Sequence, residues 1–182
     1  MDNGAILYTA YLNGDESALE QLVKLYYDGL VRFAYCFVKS AAVAEDVVAD
    51  AYATLIVKRK RFFSRASFKT YLYKTVRNKC IDYLRFHKRF VPLDDLQNVL
   101  STNDVDGAVE MNERLAFLYK CMQSLAPQYR YVLTLVYIES FSVDEASRIM
   151  GKTAKQTYNL LARAKQTLKK LLIDKGINYE DL

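Results

Sequence analysis

The sequence predicts an all-α protein of two small helical domains joined by a linker, with a helix-turn-helix in the C-terminal domain. Its 182 residues include only six Gly and two Pro, which is few for a protein built of many short strands and turns. Apolar residues make up 52% of the chain and recur at three- and four-residue spacing, the period of amphipathic helices. A chain of this length can bury one ordinary core or two small ones.

Three helical stretches are predicted in the first domain, residues 1–90. Residues 15–38 form one or two helices with a continuous apolar stripe. Residues 42–57 form another, on which Asp46 and Asp50 are one turn apart and make a small acidic face. Residues 67–87 form a third, with one apolar side and one densely cationic side. The first domain therefore has a helical core with both acidic and basic surfaces.

A linker is predicted at residues 91–109, which contain Pro92, Gly107 and the polar run 101–104. The second domain, residues 110–182, overlaps a helical stretch that runs from about Val109 to Ser124. Helix restarts with Pro127 in its first turn, because the residue before a proline avoids the helical region.

Residues 142–159 predict the helix-turn-helix. Ser142 and Glu145 have the spacing of a capping box, which starts a helix. Gly151 suits the left-handed residue that ends it, and Thr153 can cap a second helix two residues later. A short helix, a tight turn and a second helix make this motif.

The second helix of the motif has two different faces at about 100° per residue. Its polar face carries Lys155, Asn159, Arg163, Gln166 and Lys170, and its packing face carries Thr157, Leu161, Ala164, Leu168 and Leu171. Such a helix can lie in the major groove while its other side anchors it to the domain.

Charge is distributed in four alternating blocks. Residues 1–57 have a net charge of −5, residues 58–90 of +11, residues 91–146 of −6 and residues 147–175 of +7. A single basic block fits a solvated surface as well as it fits a binding surface. Two basic blocks, one of them on a helix-turn-helix, indicate a polyanionic partner. Aromatic residues interleave the first basic block, which suits unstacked single-stranded bases, although we expect more than half of these rings to be core.

Catalytic and metal sites are not predicted. His87 is the only histidine, which excludes a His-Glu-x-x-His metal site. The motif Gly151-Lys152-Thr153 is not a phosphate-binding loop, because position 146 is Ala where that loop needs Gly. Three widely spaced cysteines predict reduced, mostly buried thiols and no zinc framework. On these grounds we expect a protein that is not an enzyme and has no cofactor or metal. We also expect it to be soluble and cytoplasmic, since the N-terminus lacks a signal peptide.

Four segments carry a family resemblance. They are Gly14–Leu19, Ala44–Val48 followed by Asp50-Ala51-Tyr52, Phe68–Asn78 with Asp82–Arg85, and residues 113–172 with Leu125, Pro127, Arg130, Leu133 and Glu145 in order. Together they resemble a bacterial RNA polymerase sigma factor of the extracytoplasmic-function (ECF) group, over nearly the whole chain. The resemblance implies that residues 1–90 are region 2 and that residues 110–182 are region 4.

The resemblance implies that region 2 binds core polymerase and the minus-ten promoter element. Candidate polymerase contacts are Glu45, Asp46 and Asp50. Cations of the first basic block are candidate phosphate contacts, and Phe62, Phe63 and Ser64 lie where the family captures a flipped base. The full minus-ten set is Lys60, Arg61, Phe62, Phe63, Ser64, Arg65, Lys69, Tyr71, Lys74, Arg77, Asn78 and Lys79.

Region 4 is implied to read the minus-thirty-five element with the second helix of the motif. Candidate contacts are Lys152, Thr153, Lys155, Gln156, Asn159 and Arg163. Gln and Asn can pair bidentately with adenine, and Arg with guanine. The implied partners are core RNA polymerase, promoter DNA and a separate anti-sigma factor, with no membrane insertion.

Two other functions stay open on the residues alone. A stand-alone helix-turn-helix transcriptional regulator would bind duplex DNA tightly by itself, most often as a dimer. An RNA-binding or nucleic-acid-modifying protein would favour a single-stranded substrate. A sigma factor, in contrast, should bind promoter DNA poorly until it joins core polymerase.

Overall fold

A computed structural model describes residues 2–59, 67–90 and 113–174. These residues form helices and contain no strand, which confirms the all-α prediction. The chain divides into two compact units, residues 1–105 and residues 106–182. The predicted linker, residues 91–109, lies outside the described residues. Within the described part of the chain, no helix is both long and apolar enough to span a bilayer.

Unit 1 contains four helices in its described ranges. They are α1 (Asn3–Leu12), α2 (Glu16–Val38), α3 (Ala41–Lys58) and α4 (Phe68–Phe90). The three predicted stretches are confirmed, and the first of them is a single helix. Sequence reasoning missed α1, whose buried residues are Gly4, Tyr8 and Tyr11.

Helix α2 is the centre of unit 1 and packs against α1, α3 and α4. Its buried face includes Leu22, Leu30 and Phe33, all fully buried. The Phe33 ring lies 5.4 Å, centroid to centroid, from the ring of Tyr73 on α4. The predicted apolar stripe is therefore the core surface onto which α4 packs.

The Asp2 carboxylate joins the beginnings of α1 and α4. One oxygen accepts a hydrogen bond from the backbone N–H of Gly4 at 3.1 Å, and the other accepts one from the backbone N–H of Phe68. The first N–H groups of a helix have no partner within the helix, so one side chain satisfies a donor on each of two helices. Residues 66 positions apart in sequence are thereby held together.

Close packing accompanies this contact. A Cβ atom on Gly4 would come within 2.5 Å of the Tyr26 hydroxyl oxygen and 2.9 Å of a Phe68 ring carbon. The Tyr8 ring lies 5.0 Å from the Phe68 ring. Glycine at position 4 therefore lets α1 approach both α2 and α4.

Unit 2 contains α5 (Glu113–Gln123), α6 (Pro127–Leu133), α7 (Val143–Met150) and α8 (Ala154–Asp174). Helix α6 begins with Pro127, as predicted. It continues into a π-helical segment, Thr134–Ile138, that was not predicted. The buried Arg130 donates to the backbone oxygens of Gln123, at 2.8 Å, and Leu125, at 3.3 Å. Its guanidinium thereby satisfies carbonyls at the end of α5.

All three cysteines are buried and free, which confirms the prediction of buried thiols. Cys80 is fully buried on α4. Burial, with a smaller contribution from Cys36, raises the pKa of Cys80 to about 12. The thiolate is the reactive form of cysteine, so Cys80 is expected to be chemically inert in the folded protein.

We predict that Asp2→Ala destabilises the protein more than loss of a single cap. One N-cap contributes about 1 kcal/mol, and Asp2 serves two helices, so we expect a loss of about 2 kcal/mol in the free energy of unfolding measured with urea. Ser40→Ala is the control, because Ser40 caps only α3 and through a longer contact of 3.5 Å. Equal losses in the two variants would contradict the joining role of Asp2.

Candidate functional site

Helices α7 and α8 form the helix-turn-helix that the sequence predicts. The Ser142 hydroxyl oxygen accepts from the Glu145 backbone N–H at 3.3 Å. The Glu145 carboxylate in turn accepts from the Ser142 backbone N–H at 3.0 Å. Gly151 ends α7 in the left-handed region, with φ of 66°. The capping box and the glycine turn are both confirmed.

The two faces of α8 are also confirmed. Lys155, Asn159 and Arg163 are exposed on one side. The opposite side is buried at Thr157, Leu161, Ala164 and Leu168, whereas Leu171 is only half-buried. Helix α8 packs against α5, α6 and α7 through this buried side. Helix α8 therefore exposes a long polar face while its opposite side is packed against the rest of its unit.

The turn before α8 contains a second capping box, in which the predicted cap by Thr153 is confirmed and the role of Gln156 was missed. The Thr153 hydroxyl oxygen accepts from the backbone N–H of Gln156 at 3.2 Å. The Gln156 side-chain oxygen accepts from the backbone N–H of Thr153 at 3.0 Å. The spacing Thr-x-x-Gln was the available signal. Two predicted DNA contacts, Thr153 and Gln156, thus have a structural role in the free protein, and the third residue of this turn, Lys152, is half-buried.

One face of α4 exposes three of the predicted minus-ten contacts. Tyr71, Lys74 and Asn78 are exposed at three- and four-residue spacing, and we call these three the α4 outer face. Tyr71 is 38% exposed, so its ring can meet a ligand while Phe68 and Tyr73 are core. The expectation that more than half of the rings of the basic block are core does not hold among those described: Phe68 and Tyr73 are buried, Tyr83 is half-buried, and Tyr71 and Phe86 are exposed.

Among the other described cations of α4, Lys69, Arg77 and Lys79 are half-buried, whereas Arg85 is exposed. Lys69 places its ammonium 5.7 Å from the centroid of the Tyr73 ring. Arg77 donates to the side-chain oxygen of Asn78 at 3.2 Å. Both cations therefore already interact with aromatic or polar neighbours on their own helix. The predicted contacts at positions 60–65, namely Lys60, Arg61, Phe62, Phe63, Ser64 and Arg65, lie outside the described residues.

Lys79 forms an ion pair with Asp50, which joins α3 to α4. The Lys79 side chain is only 22% exposed, against 66% for Asp50. The sequence assigned these two residues to different partners, Lys79 to DNA and Asp50 to polymerase. The structure brings them together, and each reduces the charge that the other presents to solvent.

A groove of about 520 Å³ lies between α3 and α4 beside this ion pair, and we call it the acidic groove. Its carboxylates belong to Asp46, Asp50 and Asp82, and its apolar lining includes Val43, Val47, Tyr83 and Phe86. Glu45 is exposed on α3 next to Asp46. Sequence reasoning did not assign Asp82 or Phe86 to this surface. Phe86 is 60% exposed and adds apolar area to it.

The acidic groove affects the protonation of Tyr83, which lines it. Burial raises the pKa of Tyr83, and the nearby Asp46 carboxylate raises it further. The groove therefore combines negative charge with exposed apolar area, a combination that fits a basic, partly apolar protein surface.

Unit 2 has a more apolar groove of about 410 Å³ behind α8. Met122, Leu133 and Leu168 line it, with Lys165 and Tyr137 at its edge. The Lys165 ammonium lies 5.7 Å from the centroid of the Tyr137 ring. A hydrogen bond with Tyr137 raises the pKa of Lys165, so this cation stays charged. Nowhere in the described residues do three His, Cys, Asp or Glu side chains converge as metal ligands.

Comparisons with known proteins match both units. Residues 22–90 match the family Sigma-70 region 2, and residues 118–168 match Sigma-70, region 4. The ECF RNA polymerase sigma factor SigM of Bacillus subtilis is 30% identical over 163 residues, which cover 89% of this chain and 99% of that protein. The ECF RNA polymerase sigma factor SigM of Mycobacterium tuberculosis H37Rv is 26% identical over 179 residues, covering 96% of this chain and 88% of that protein.

Two solved structures share the fold. One is CnrH in complex with the cytosolic domain of CnrY, with a TM-score of 0.67, 23% identity and coverage of 95% of this chain and 99% of that one. The other is the sigma factor RpoE in complex with the anti-sigma factor NepR from Bartonella quintana, with a TM-score of 0.65, 22% identity and coverage of 84% and 95%.

We predict that the Lys79–Asp50 pair stabilises the packing of α3 on α4. A double-mutant cycle of Lys79→Met and Asp50→Asn, measured by urea unfolding, should give a coupling free energy of about 0.5–1 kcal/mol. The coupling should shrink in high salt because ions screen it. Additive effects of the two substitutions at low salt would argue against the pair.

Proposed function

Because this chain belongs to the ECF group of RNA polymerase sigma factors, we propose that its two helical units divide promoter recognition between them. Members of this group direct transcription initiation by binding core polymerase and promoter DNA, and are not enzymes. In our proposal, residues 1–90 act as region 2, residues 91–109 as a linker and residues 110–182 as region 4. The two-faced helix α8 is the observation that carries the division, since its polar face is suited to duplex DNA.

The acidic groove, with Glu45 beside it, is the proposed contact with core polymerase. Asp46, Asp50 and Asp82 supply negative charge, and exposed Phe86 supplies apolar area. Protein interfaces combine an apolar centre with a charged rim that selects the partner. The same carboxylates would repel DNA phosphates, which favours a protein partner at this groove.

The α4 outer face is the proposed contact with the minus-ten element. Lys74 can neutralise a phosphate, and the exposed ring of Tyr71 can stack on an unpaired base. Asn78 can hydrogen-bond a base edge or a phosphate. Half-buried Arg77 adjoins Asn78 on this face. Half-buried Lys69 lies about 200° around the helix from Tyr71, and Lys79 contributes less because it is paired with Asp50. Residues 60–65 remain predicted contacts, with Phe62, Phe63 and Ser64 proposed to capture a flipped base.

Helix α8 is the proposed reader of the minus-thirty-five element. Lys155, Asn159 and Arg163 are exposed on one face of the first three turns, where a recognition helix meets base edges. Lys152 and Thr153 lie in the preceding turn, where the N–H groups at the start of a helix favour a phosphate. The side chains are already supported by a buried packing face, so binding orders few residues.

A separate anti-sigma factor is a proposed further partner, and the cytoplasm is the proposed location. CnrH is described in complex with CnrY, and RpoE with the anti-sigma factor NepR. This chain shares their fold, and a partner that covered the acidic groove would block polymerase. Core polymerase itself defines the compartment in which the protein acts.

A free-standing helix-turn-helix regulator is the alternative function. It differs from a sigma factor in needing no polymerase to bind DNA. Membership of the ECF group favours the sigma factor.

We predict that Asp46→Lys abolishes co-elution with core RNA polymerase on a size-exclusion column, whereas the wild-type protein co-elutes. The substitution places a positive charge in the acidic groove and spares Asp50, which pairs with Lys79. Glu16→Lys is the matched control, because it makes the same charge change at an exposed site on α2. Failure of the folded wild-type protein to co-elute would favour a free-standing regulator, to be tested by duplex DNA binding without polymerase.

We also predict that Asn159→Ala relaxes base preference at about one pair of the minus-thirty-five element. The expected cost is roughly 1–3 kcal/mol at that pair and little elsewhere, because a base contact carries sequence information and a phosphate contact does not. The measurement compares binding of the reconstituted holoenzyme to promoters varied at each pair. Equal losses on all promoters would refute a base contact by Asn159.

A further inference from the structure

The side chain of Gln156 folds back onto the turn that precedes α8. Its Oε1 atom accepts the backbone N–H of Thr153 at 3.0 Å, and its own backbone N–H donates to the Thr153 hydroxyl at 3.2 Å. Gln156 is nevertheless exposed, on the turn next to Lys155. Its amide is therefore accessible to a ligand but held in one direction.

The partner determines which end of the amide faces the backbone. A backbone N–H only donates, so the group that meets it has to be the oxygen. The reversed amide would set two donors against each other and leave the exposed Thr153 N–H to water. The NH2 end is thus the part of the amide that the capping box does not use.

This constraint changes which base the side chain can read. Adenine presents an N6 amino donor beside the N7 acceptor in the major groove, so a glutamine needs both its oxygen and its nitrogen to pair with it. Guanine presents two acceptors, O6 and N7. An amide whose oxygen is turned to the helix cap offers N–H donors, which suit guanine and oppose the adenine amino group.

The chain contains a natural comparison one helix earlier. Ser142 and Glu145 make the same reciprocal pair, with a carboxylate in place of the amide, at 3.0 and 3.3 Å. Glutamate at position 156 can therefore keep the cap. It would replace the outward NH2 with an oxygen, which only accepts. Capping and base reading can thus be separated by one substitution.

Resting on the proposed role of α8, we propose that Gln156 selects guanine over adenine at one base pair of the minus-thirty-five element while its oxygen caps the recognition helix. In this contact the NH2 group of Gln156 donates to guanine, and its oxygen does not contact the base. It revises the bidentate adenine contact that the sequence alone suggests for this residue.

The test uses holoenzyme, made from the full chain and core polymerase, on promoters in which each upstream base pair is changed to the other three. Wild-type holoenzyme should favour guanine over adenine at one pair by roughly tenfold. Gln156→Glu should lose that preference at that pair alone and leave the thermal unfolding midpoint of the protein unchanged. Gln156→Ala should lose the preference and also lower the midpoint. Asn159→Ala, the control on the same face, should keep the guanine preference at this pair.

Two results would overturn the inference and leave the proposed function standing. One is a wild-type preference for adenine at the pair that Gln156 variants affect. The other is an unchanged preference at every pair in both Gln156 variants, which would make the residue a cap only. If wild-type holoenzyme shows no base preference at any upstream pair, the proposed role of α8 fails and this inference fails with it.

Discussion

The first backbone N–H groups of a helix have no hydrogen-bond partner inside the helix. In this protein, the side chains that accept hydrogen bonds from them lie at the starts of the helices that carry the candidate surfaces. Asp2 pairs one such N–H at the start of α1 and another at the start of α4, so the N-terminus fixes the helix that carries the α4 outer face. Ser142 with Glu145, and Thr153 with Gln156, do the same for the helix-turn-helix. The caps thus mark where these helices begin, and the packing of their buried faces leaves the candidate surfaces exposed.

The acidic and basic blocks of unit 1 are separate in sequence but meet in the folded structure. The sequence separates an acidic block from a basic one at Lys58, which suggests two independent surfaces. The ion pair between Asp50 and Lys79 instead ties the two blocks together across α3 and α4. The acidic groove and the α4 outer face are therefore neighbouring parts of one packed helix pair. A protein partner in the groove and a nucleic acid on α4 would share a single scaffold.

Sequence reasoning succeeded where the determinants are local. The capping box at Ser142, the left-handed Gly151 and the two faces of α8 all follow from residues within a turn or two of each other. It missed features made by distant residues, such as the bond from Asp2 to Phe68 and the pairing of Asp50 with Lys79, 29 positions apart. It also missed α1, whose contacts with α2 and α4 arise from tertiary packing. The capping role of Gln156 was also missed, although it is local and the spacing Thr-x-x-Gln signalled it.

The burial of the cysteines bears on how the protein could respond to oxidants. Peroxides attack thiolates that solvent can reach, and Cys36, Cys80 and Cys121 are all buried. For Cys80 the raised pKa also keeps the sulfur protonated at neutral pH. An oxidant is therefore not expected to act on the folded protein through these three thiols. Conversely, the thiols become accessible to oxidants when the protein unfolds. Cysteine oxidation is therefore expected in unfolded chains, where it would hinder refolding.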